Sequence, residues 1–593
     1  MKKLINFNIV FLIFINFCLG QNKVSGYVLD EDTNLPINNV AIYDNNSDQI
    51  YYSDSDGYFE FIKNKNTVEI VFFIEGYILL SKQLDEDNVN LDIKLSSRLE
   101  QLNEVVVRAN KKKIFQIRRM KDFEETSVFA GKKNEVILLE LSMANLASNN
   151  ARQIYNQIPG LNIYQNDDAG LQLNIGGRGL DPNRTSNFNT RQNGYDISAD
   201  ALGYPESYYT PPAEGLSEIQ ILRGAASLQY GTQFGGLINF IMKRPNLDKK
   251  LELITRNTIG SNNLFTNFTS LSSKGEKLNY YGYINYKKGD GFRINSNFES
   301  VNTFQFLEYN FNDSTSLSSE ITYLNYLARQ AGGLSDQMFK EDPYQSNRSR
   351  NWFEVDWLLY NIKFKKEFSE KTNFTFSFFG LEAKRNSLGF RTNRVSQVDS
   401  GQERDLIKGD FSNFGFESRL LTRYKAFKNK SYFLIGLKYY NSNSSSIQGP
   451  GSNGSDANFN FQNSLYPNYN NQSDYTYPNK NIALFGENIF YLTENFSITP
   501  GFRYENIETK SDGFYRKINL DGAGNVIFNE KYDELDVKKR NFLLLGLGIS
   551  YKPNRNIEMY SNISENYRSV TFADISIINP AYAVNPDIDD EKG

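Results

Sequence analysis

From Leu251 to the end of the chain the dominant pattern has a period of two. In residues 278–287, Leu278, Tyr280, Ile284 and Tyr286 share one parity, while Asn279, Asn285 and Lys287 take the other. Residues 373–378 set Phe374, Phe376 and Phe378 against Asn373, Thr375 and Ser377. Residues 496–505 set Phe496, Ile498, Phe502 and Tyr504 against Ser497, Thr499, Arg503 and Glu505. Successive side chains of a strand point to opposite faces, so this pattern gives strands with one apolar and one polar face. Beyond the N-terminus no run reaches the roughly 18 apolar residues that a membrane helix needs. Aromatics nevertheless make up 14% of the chain, with 38 Tyr and 45 Phe. Aromatic-rich, alternating strands are what a transmembrane β-barrel requires: lipid outside, water or a plug inside, and aromatic girdles at both interfaces. A soluble sandwich would alternate locally but not over so long a stretch.

Residues 1–20 have the parts of a secretory signal: Lys2 and Lys3, an apolar run from Leu4 to Leu19, and the small residues Cys18 and Gly20 before Gln21. A lipoprotein reading would acylate Cys18, but Phe17 is bulky where that processing needs a small residue. With the signal removed the chain has no cysteine, so disulfides and thiolate chemistry are excluded. The chain also has no histidine, which excludes Ser-His-Asp and Cys-His nucleophiles, His-rich zinc sites and haem held through imidazole. No catalytic constellation is present and the expected class is not an enzyme. The formal charge of −4 becomes −6 when Lys2 and Lys3 leave with the signal, a balance that gives no support to nucleic-acid binding.

Residues 21–97 read as a β-sandwich, with strands expected at Lys23–Leu29, Val40–Tyr43, Tyr58–Ile62, Val68–Phe73 and Val89–Leu95. Asp54 and Asp56 around Gly57 fit a turn better than a calcium loop, because the other ligand positions are missing. The motifs VSGYVLD, LPINNVAIY, SDSDGYFEF and VFFIEGY resemble the carboxypeptidase regulatory-like domain, an accessory module that precedes outer-membrane receptors in Bacteroidetes-type bacteria. Residues 98–124 have the composition of a linker. Within them Leu102, Asn103, Glu104, Val105, Val106 and Val107 form a short β-branched segment able to add a strand to another protein's sheet edge. The alternative is a last strand of the preceding sandwich.

Residues 125–245 carry IPGLNIY, NIGGRGL, QNGYDI and LSEIQILRGAASLQYGTQFGGLINFIMKRP in succession. That order resembles the plug of TonB-dependent outer-membrane receptors, and residues 246–593 then resemble the N-terminal part of their barrel. The stretch GRGLDPNRTSNFNTRQNGYDISADALGYPESYYTPP is similar to the ferric-dicitrate subgroup. The resemblance implies a mainly β protein with a sandwich, an α+β plug and an antiparallel transmembrane barrel of the 22-stranded type. It makes Leu102–Val107 the Ton box. It makes Arg178 and Arg223 plug arginines that latch onto Glu505 and Glu565 of the barrel, although Glu565 shares its parity with the apolar Met559 and Ile563; the alternative for each arginine is a salt bridge within the plug.

The implied function is TonB-dependent import of a ferric chelate, ferric citrate or another siderophore, with iron carried as cargo and no cofactor or metal held by the protein. TonB with ExbB–ExbD and the outer-membrane lipid are the implied partners, and whether the N-terminal domain also addresses an anti-sigma regulator is left open. Anionic chelates call for guanidinium forks, which points to Arg329, Arg391 and Arg394, and near the plug apex to Asn187, Arg191 and Gln192. Competing readings are a SusC-like oligosaccharide importer and a barrel-anchored surface binding protein.

At roughly 20–25 residues per strand and connection, residues 247–593 would supply about 14 to 17 strands. A 22-stranded barrel would then need more chain, and an unclosed sheet edge in hydrocarbon is costly, so a longer parent protein is expected. Val105→Pro removes a backbone donor from the segment that would pair with TonB. It is expected to abolish iron uptake from the transported chelate while leaving receptor abundance in the outer membrane unchanged; undiminished uptake would remove Leu102–Val107 from the coupling role.

Overall fold

The computed structural model describes residues 23–31, 34–44, 50–62, 69–74, 77, 79–84, 90–96 and 117–593, the last stretch without 143, 166, 178, 224–226, 232, 393, 555–556, 573–584 and 586–587. The signal expected at 1–20, the Ton box expected at Leu102–Val107 and Arg178 therefore lie outside the described residues. The chain divides into two compact units, Met1–Lys112 and Lys113–Gly593.

The first unit contains two sheets. Lys23–Asp30 lies between Tyr58–Ile62, antiparallel, and Asn90–Leu95, parallel. The other sheet runs Ile50–Tyr52, Ala41–Asp44, Glu69–Phe73, Leu80–Gln83. Alternate residues of both sheets, among them Val24, Val28, Phe59, Phe61, Ile70, Phe72, Leu91 and Ile93, share one buried cluster. The short strands Ile50–Tyr52 and Leu80–Gln83 lack a long alternating run, which is why periodicity does not reveal them. The Asp54 loop is a turn, with its carboxylate accepting from the Asp56 and Tyr58 N–H groups at 3.0 and 2.9 Å.

The second unit opens with a six-stranded mixed sheet in the order Tyr195–Asp196, Phe188–Gln192, Gly236–Met242, Leu216–Arg223, Lys133–Leu138, Ile117–Arg118. The end of the expected linker is thus part of the plug. Ile117–Arg118 pairs with Val136 and Ile137, Met120 is buried, and Arg118 forms an ion pair with Glu218 at 2.6 Å. Gly236 sits at φ +106°, and a Cβ there would strike the Leu222 carbonyl. Only glycine lets the strand Gly236–Met242 start against its neighbour.

Among the described residues thirteen strands follow, each antiparallel to the next, from Leu251–Ile259 to Ile557–Ser564. They lengthen from 9 residues at Leu251–Ile259 to 29 at Val526–Asn554, and the last, Ile557–Ser564, has 8. The polar stretch 441–481 is a loop only at 451–471, since Asn429–Pro450 and Gln472–Thr493 remain paired up to Gln448 and Ser473. Short turns at 275–277, 313–314, 370–371, 427–428 and 494–495 mark one end, and long connections at 330–351, 390–404 and 451–471 the other. Short periplasmic turns and long extracellular loops are the rule for outer-membrane barrels.

The alternation holds in the structure. Ile284, Phe376, Phe378, Leu484 and Tyr504 are exposed on the outer face, whereas Asn285, Asn361, Glu417, Arg503 and Glu505 are buried on the inner one. Aromatic residues and leucines thus meet lipid while charges meet the plug. Leu484→Arg is expected to cost about 2–4 kcal/mol, the penalty for a cation on the lipid face near the midplane. Equilibrium unfolding from lipid vesicles checks this, and a change under roughly 1 kcal/mol, the value near the interfaces, would place Leu484 outside the hydrocarbon belt.

Candidate functional site

The lumen residues with formal charge come together where the plug meets the barrel wall. Lys132 of the plug is 2.6 Å from Glu487 on Gln472–Thr493, with both side chains almost fully buried. Burial lowers the pKa of the Lys132 ammonium and the Glu487 carboxylate opposes that shift. Arg191 of the plug approaches Glu417 at 3.4 Å, and Glu417 is also held by Arg419 at 2.6 Å. Arg419 donates to Ser127 Oγ at 2.9 Å and to the Gln229 carbonyl at 3.3 Å. Arg503 reaches the Leu228 and Gln229 carbonyls at 3.4 and 3.5 Å. Arg191 donates to the Tyr230 carbonyl at 2.8 Å. Three guanidinium groups therefore converge on the carbonyl end of the plug's short helix Ser227–Tyr230, an arrangement favoured by its partial negative charge.

The expected latch differs in its partners. Arg223 ends the strand Leu216–Arg223, and its guanidinium takes the nearest carboxylate on the paired strand, Glu135 at 2.8 Å, together with the Pro159 carbonyl at 2.8 Å. It is a plug-internal pair, not a bridge to the barrel. Glu505 does face the lumen, as its parity indicates, but its partner is Arg503 at 2.5 Å, two residues away on the same strand. Among the described residues Glu505 meets the plug through Arg503. Glu565 is exposed in the outward register of Met559 and Ile563 and accepts from the Leu545 N–H at 2.8 Å, so it does not face the lumen as the expected latch requires. The contacts missed by the sequence reading are Lys132–Glu487 and Arg191–Glu417; inward parity of Glu417 and Glu487 was the available signal.

At the long-loop end a cavity of about 530 Å³ opens between the plug apex and the wall. The plug contributes Arg184, Tyr204 and Glu206, and the wall contributes Arg348, Arg385 and Arg391 with Phe353, Phe411 and Tyr477. The lining holds four arginines and one carboxylate. Arg184 pairs with Glu206 at 2.7 Å. Arg348 donates to the Asn347 and Gln397 carbonyls at 2.6 and 3.1 Å, and Arg391 lies 3.7 Å from Asp405. Arg385 is different. It donates to Tyr204 Oη at 3.2 Å, lies over the rings of Tyr204 and Tyr208, and its Nε has no hydrogen-bond partner. No carboxylate forms an ion pair with it among the described residues. A guanidinium so placed is ready for an incoming anion.

Of the substrate-contact residues expected from sequence, Arg391 alone lines this cavity. Arg191 and Gln192 are buried at 1% and 0% exposure on the plug strand, and Gln192 donates to Thr322 Oγ1 at 3.0 Å. Both are consumed by plug packing. Asn187 donates to the Asp181 carbonyl at 3.0 Å. Arg329 stacks over Trp352 and donates to Asn295, and Arg394 is exposed on the loop 390–404. The cavity residues of this stretch, Arg184, Tyr204 and Glu206, lie on either side of the strand Phe188–Gln192. Continuing the alternation of 373–378 puts Arg385 on the lumen parity, a signal that was present and unused.

Three family models match successive parts of the chain: the CarboxypepD_reg-like domain at residues 24–107, the TonB-dependent receptor plug domain at 140–237, and the TonB-dependent receptor-like β-barrel at 302–593. Two curated ferric enterobactin receptors of Pseudomonas aeruginosa are similar, PirA at 31% identity over 140 residues and another at 27% over 185. These matches cover 21% and 26% of this chain, and the chain spans 17% and 23% of the relatives' lengths. Among solved structures, the unliganded ferric citrate transporter FecA gives a TM-score of 0.60 at 18% identity, covering 75% of this chain and 64% of that one. The ferric yersiniabactin uptake receptor FyuA from Yersinia pestis gives 0.58 at 15%, covering 78% and 67%. At these identities the structural likeness establishes the fold: a plug within a large β-barrel.

Lys132→Ala leaves Glu487 buried without a partner and is expected to destabilise the protein by roughly 3–5 kcal/mol, whereas Lys132→Met combined with Glu487→Leu recovers most of that loss. Chemical denaturation of the purified chain compares the two, and equal losses would contradict a coupled pair.

Proposed function

We propose that this chain, which carries the plug and outer-membrane β-barrel domains of the TonB-dependent receptors behind a CarboxypepD_reg-like domain, imports an anionic ferric chelate, ferric citrate or another siderophore complex, across the outer membrane. The observation that carries this reading is the arginine-lined cavity above the plug, and within it the uncompensated Arg385. A ferric chelate with surplus carboxylate or phenolate charge supplies the missing anion. Its organic periphery meets Phe353, Phe411 and Tyr477. The protein is a receptor and transporter, and no bond of the cargo is broken by it; iron is cargo and the chain holds no metal of its own.

Passage below the cavity requires the plug to move. Ion pairs such as Lys132–Glu487 and Arg191–Glu417 hold it at rest. TonB, energised by ExbB–ExbD, would grip Leu102–Val107 and do the mechanical work. The names of the similar proteins, receptors and transporters of ferric chelates, support the cargo class. An oligosaccharide importer would have no use for four arginines facing one carboxylate.

Binding of ferric citrate, a ferric catecholate, a ferric hydroxamate and a malto-oligosaccharide to the purified receptor tests the reading. At least one ferric chelate is expected to bind, and Arg385→Glu to weaken it tenfold or more, about 1.4 kcal/mol. Binding of the oligosaccharide alone, or indifference to Arg385→Glu, would overturn it.

A further inference from the structure

The cavity floor rests on a small finger of the plug. The Ala199 N–H donates to the Glu206 carbonyl at 2.9 Å, and Asp200 and Tyr204 exchange backbone hydrogen bonds at 2.9 and 3.0 Å. One side of the finger, Tyr204 and Glu206, lines the cavity. The other side packs on the barrel wall. There Asp200 is fully buried, and its carboxylate accepts from Asn479 Nδ2 at 2.8 Å and Ser442 Oγ at 2.5 Å. The Tyr440 and Ser444 hydroxyls lie at 3.4 and 3.5 Å, and the Leu202 N–H closes the tip at 2.9 Å. Asn413 Nδ2 adds a bond to the Ala199 carbonyl at 3.0 Å, and Tyr440 Oη accepts from the Ala201 N–H at 3.1 Å.

Every partner of the Asp200 carboxylate is neutral. A buried carboxylate without a cation is expensive unless its lone pairs are filled, and filling them needs donors in fixed places. Burial pushes its pKa up, and the hydrogen bonds from Ser442, Leu202 and Asn479 oppose that shift. The nearby cation Lys438 is directed to Asp196 instead, at 3.7 Å. The donors Ser442 and Asn479 come from two adjacent wall strands, Asn429–Pro450 and Gln472–Thr493, so the carboxylate fixes the finger in two directions at once.

We infer that Asp200 is a positioning residue for cargo: it holds the finger 199–206 against the barrel wall so that Tyr204 and Glu206 stand opposite Arg385 and Arg184. This role rests on the cavity being the receiving site. It assigns to the finger, and not to the plug sheet, the first response to an occupied cavity.

Amide hydrogen exchange on the full chain in detergent micelles tests it without any cargo. In Asp200→Ala, amides of residues 199–206 are expected to exchange at least tenfold faster, with the strands Leu216–Arg223 and Gly236–Met242 unchanged. Asp200→Asn with Asn479→Asp exchanges acceptor for donor and keeps the contact. The carboxylate this places on the wall can still accept from the Lys510 N–H, as the Asn479 side chain does at 3.2 Å. This double variant is expected to restore slow exchange. Binding of whichever ferric chelate the wild type takes should weaken at least tenfold in Asp200→Ala and return in the double variant. Unchanged exchange in Asp200→Ala, acceleration spread through the plug sheet, or no recovery in the double variant would each overturn the assignment. If no chelate binds the wild type, the import reading and with it the cargo role fall, while the exchange comparison still decides whether Asp200 holds the finger 199–206 against the wall.

Discussion

A barrel wall whose outer face meets hydrocarbon has to turn its polar side chains inward, and a plug seated in that lumen takes them out of water. Each lumen charge must then find a partner from the plug or from its own strand. Glu417 is shared by Arg191 of the plug and Arg419 of the wall, Glu487 takes Lys132, and Glu505 takes Arg503. The arginines left with donors to spare finish on the carbonyls of residues 228–230. The plug is thereby specified by the wall, residue by residue. Because desolvation cancels much of the attraction in a buried pair, the net hold of each is modest while breaking one partner alone is costly. That combination suits a plug that must stay put at rest and move under work.

The cavity obeys the opposite rule. Arg348 spends its donors on loop carbonyls and Arg184 spends its charge on Glu206, but Arg385 retains an unpartnered Nε beside two tyrosine rings. Among the four arginines of the cavity lining, Arg385 is the one with an unpartnered Nε, and that marks it as the place where an anion from outside completes the set. Aromatic side chains around it keep water sparse and strengthen whatever pair forms.

The architecture was legible because a lipid-facing barrel writes its period into every strand: Leu278, Phe374 and Ile498 needed no tertiary information to be placed. Strand count was not legible, since nothing in the pattern says that Val526–Asn554 continues as a strand well beyond the apolar belt. The plug's position in the chain could be read from motifs, but its contacts could not. Arg223 shows why. A buried arginine takes the carboxylate that its cross-strand register brings near, here Glu135, and register is invisible before the sheet is known. Parity did separate Glu505, inward, from Glu565, outward. Arg191 and Arg385 illustrate the remaining gap: both are lumen-side arginines, and only packing tells that the first is fully engaged and the second is open.

The strand Asp405–Ala426 carries the two rules on one rigid element. Phe411 lines the cavity, Asn413 holds the finger at Ala199, and Glu417 and Arg419 hold the plug. With lumen side chains two residues apart, roughly 6.6 Å of strand per step, the cavity and the clasp are fixed at a constant separation by the wall. Anything that changes between them has to happen in the plug. The finger 199–206 is continuous with Tyr195–Asp196, which pairs with Arg191 and Gln192, and Arg191 reaches both Tyr230 and Glu417. A displacement that begins at Tyr204 therefore meets the clasp through one hairpin. Spatial continuity is not by itself coupling; the coupling needs an element with two positions. Toward the wall the finger is held by uncharged donors, Asn479, Ser442 and Asn413, whereas its base at Asp196 faces Lys438 and the sheet below carries the Arg191–Glu417 ion pair. Movement of this segment, released from its donors on the wall, is where cargo binding and plug release can exchange free energy.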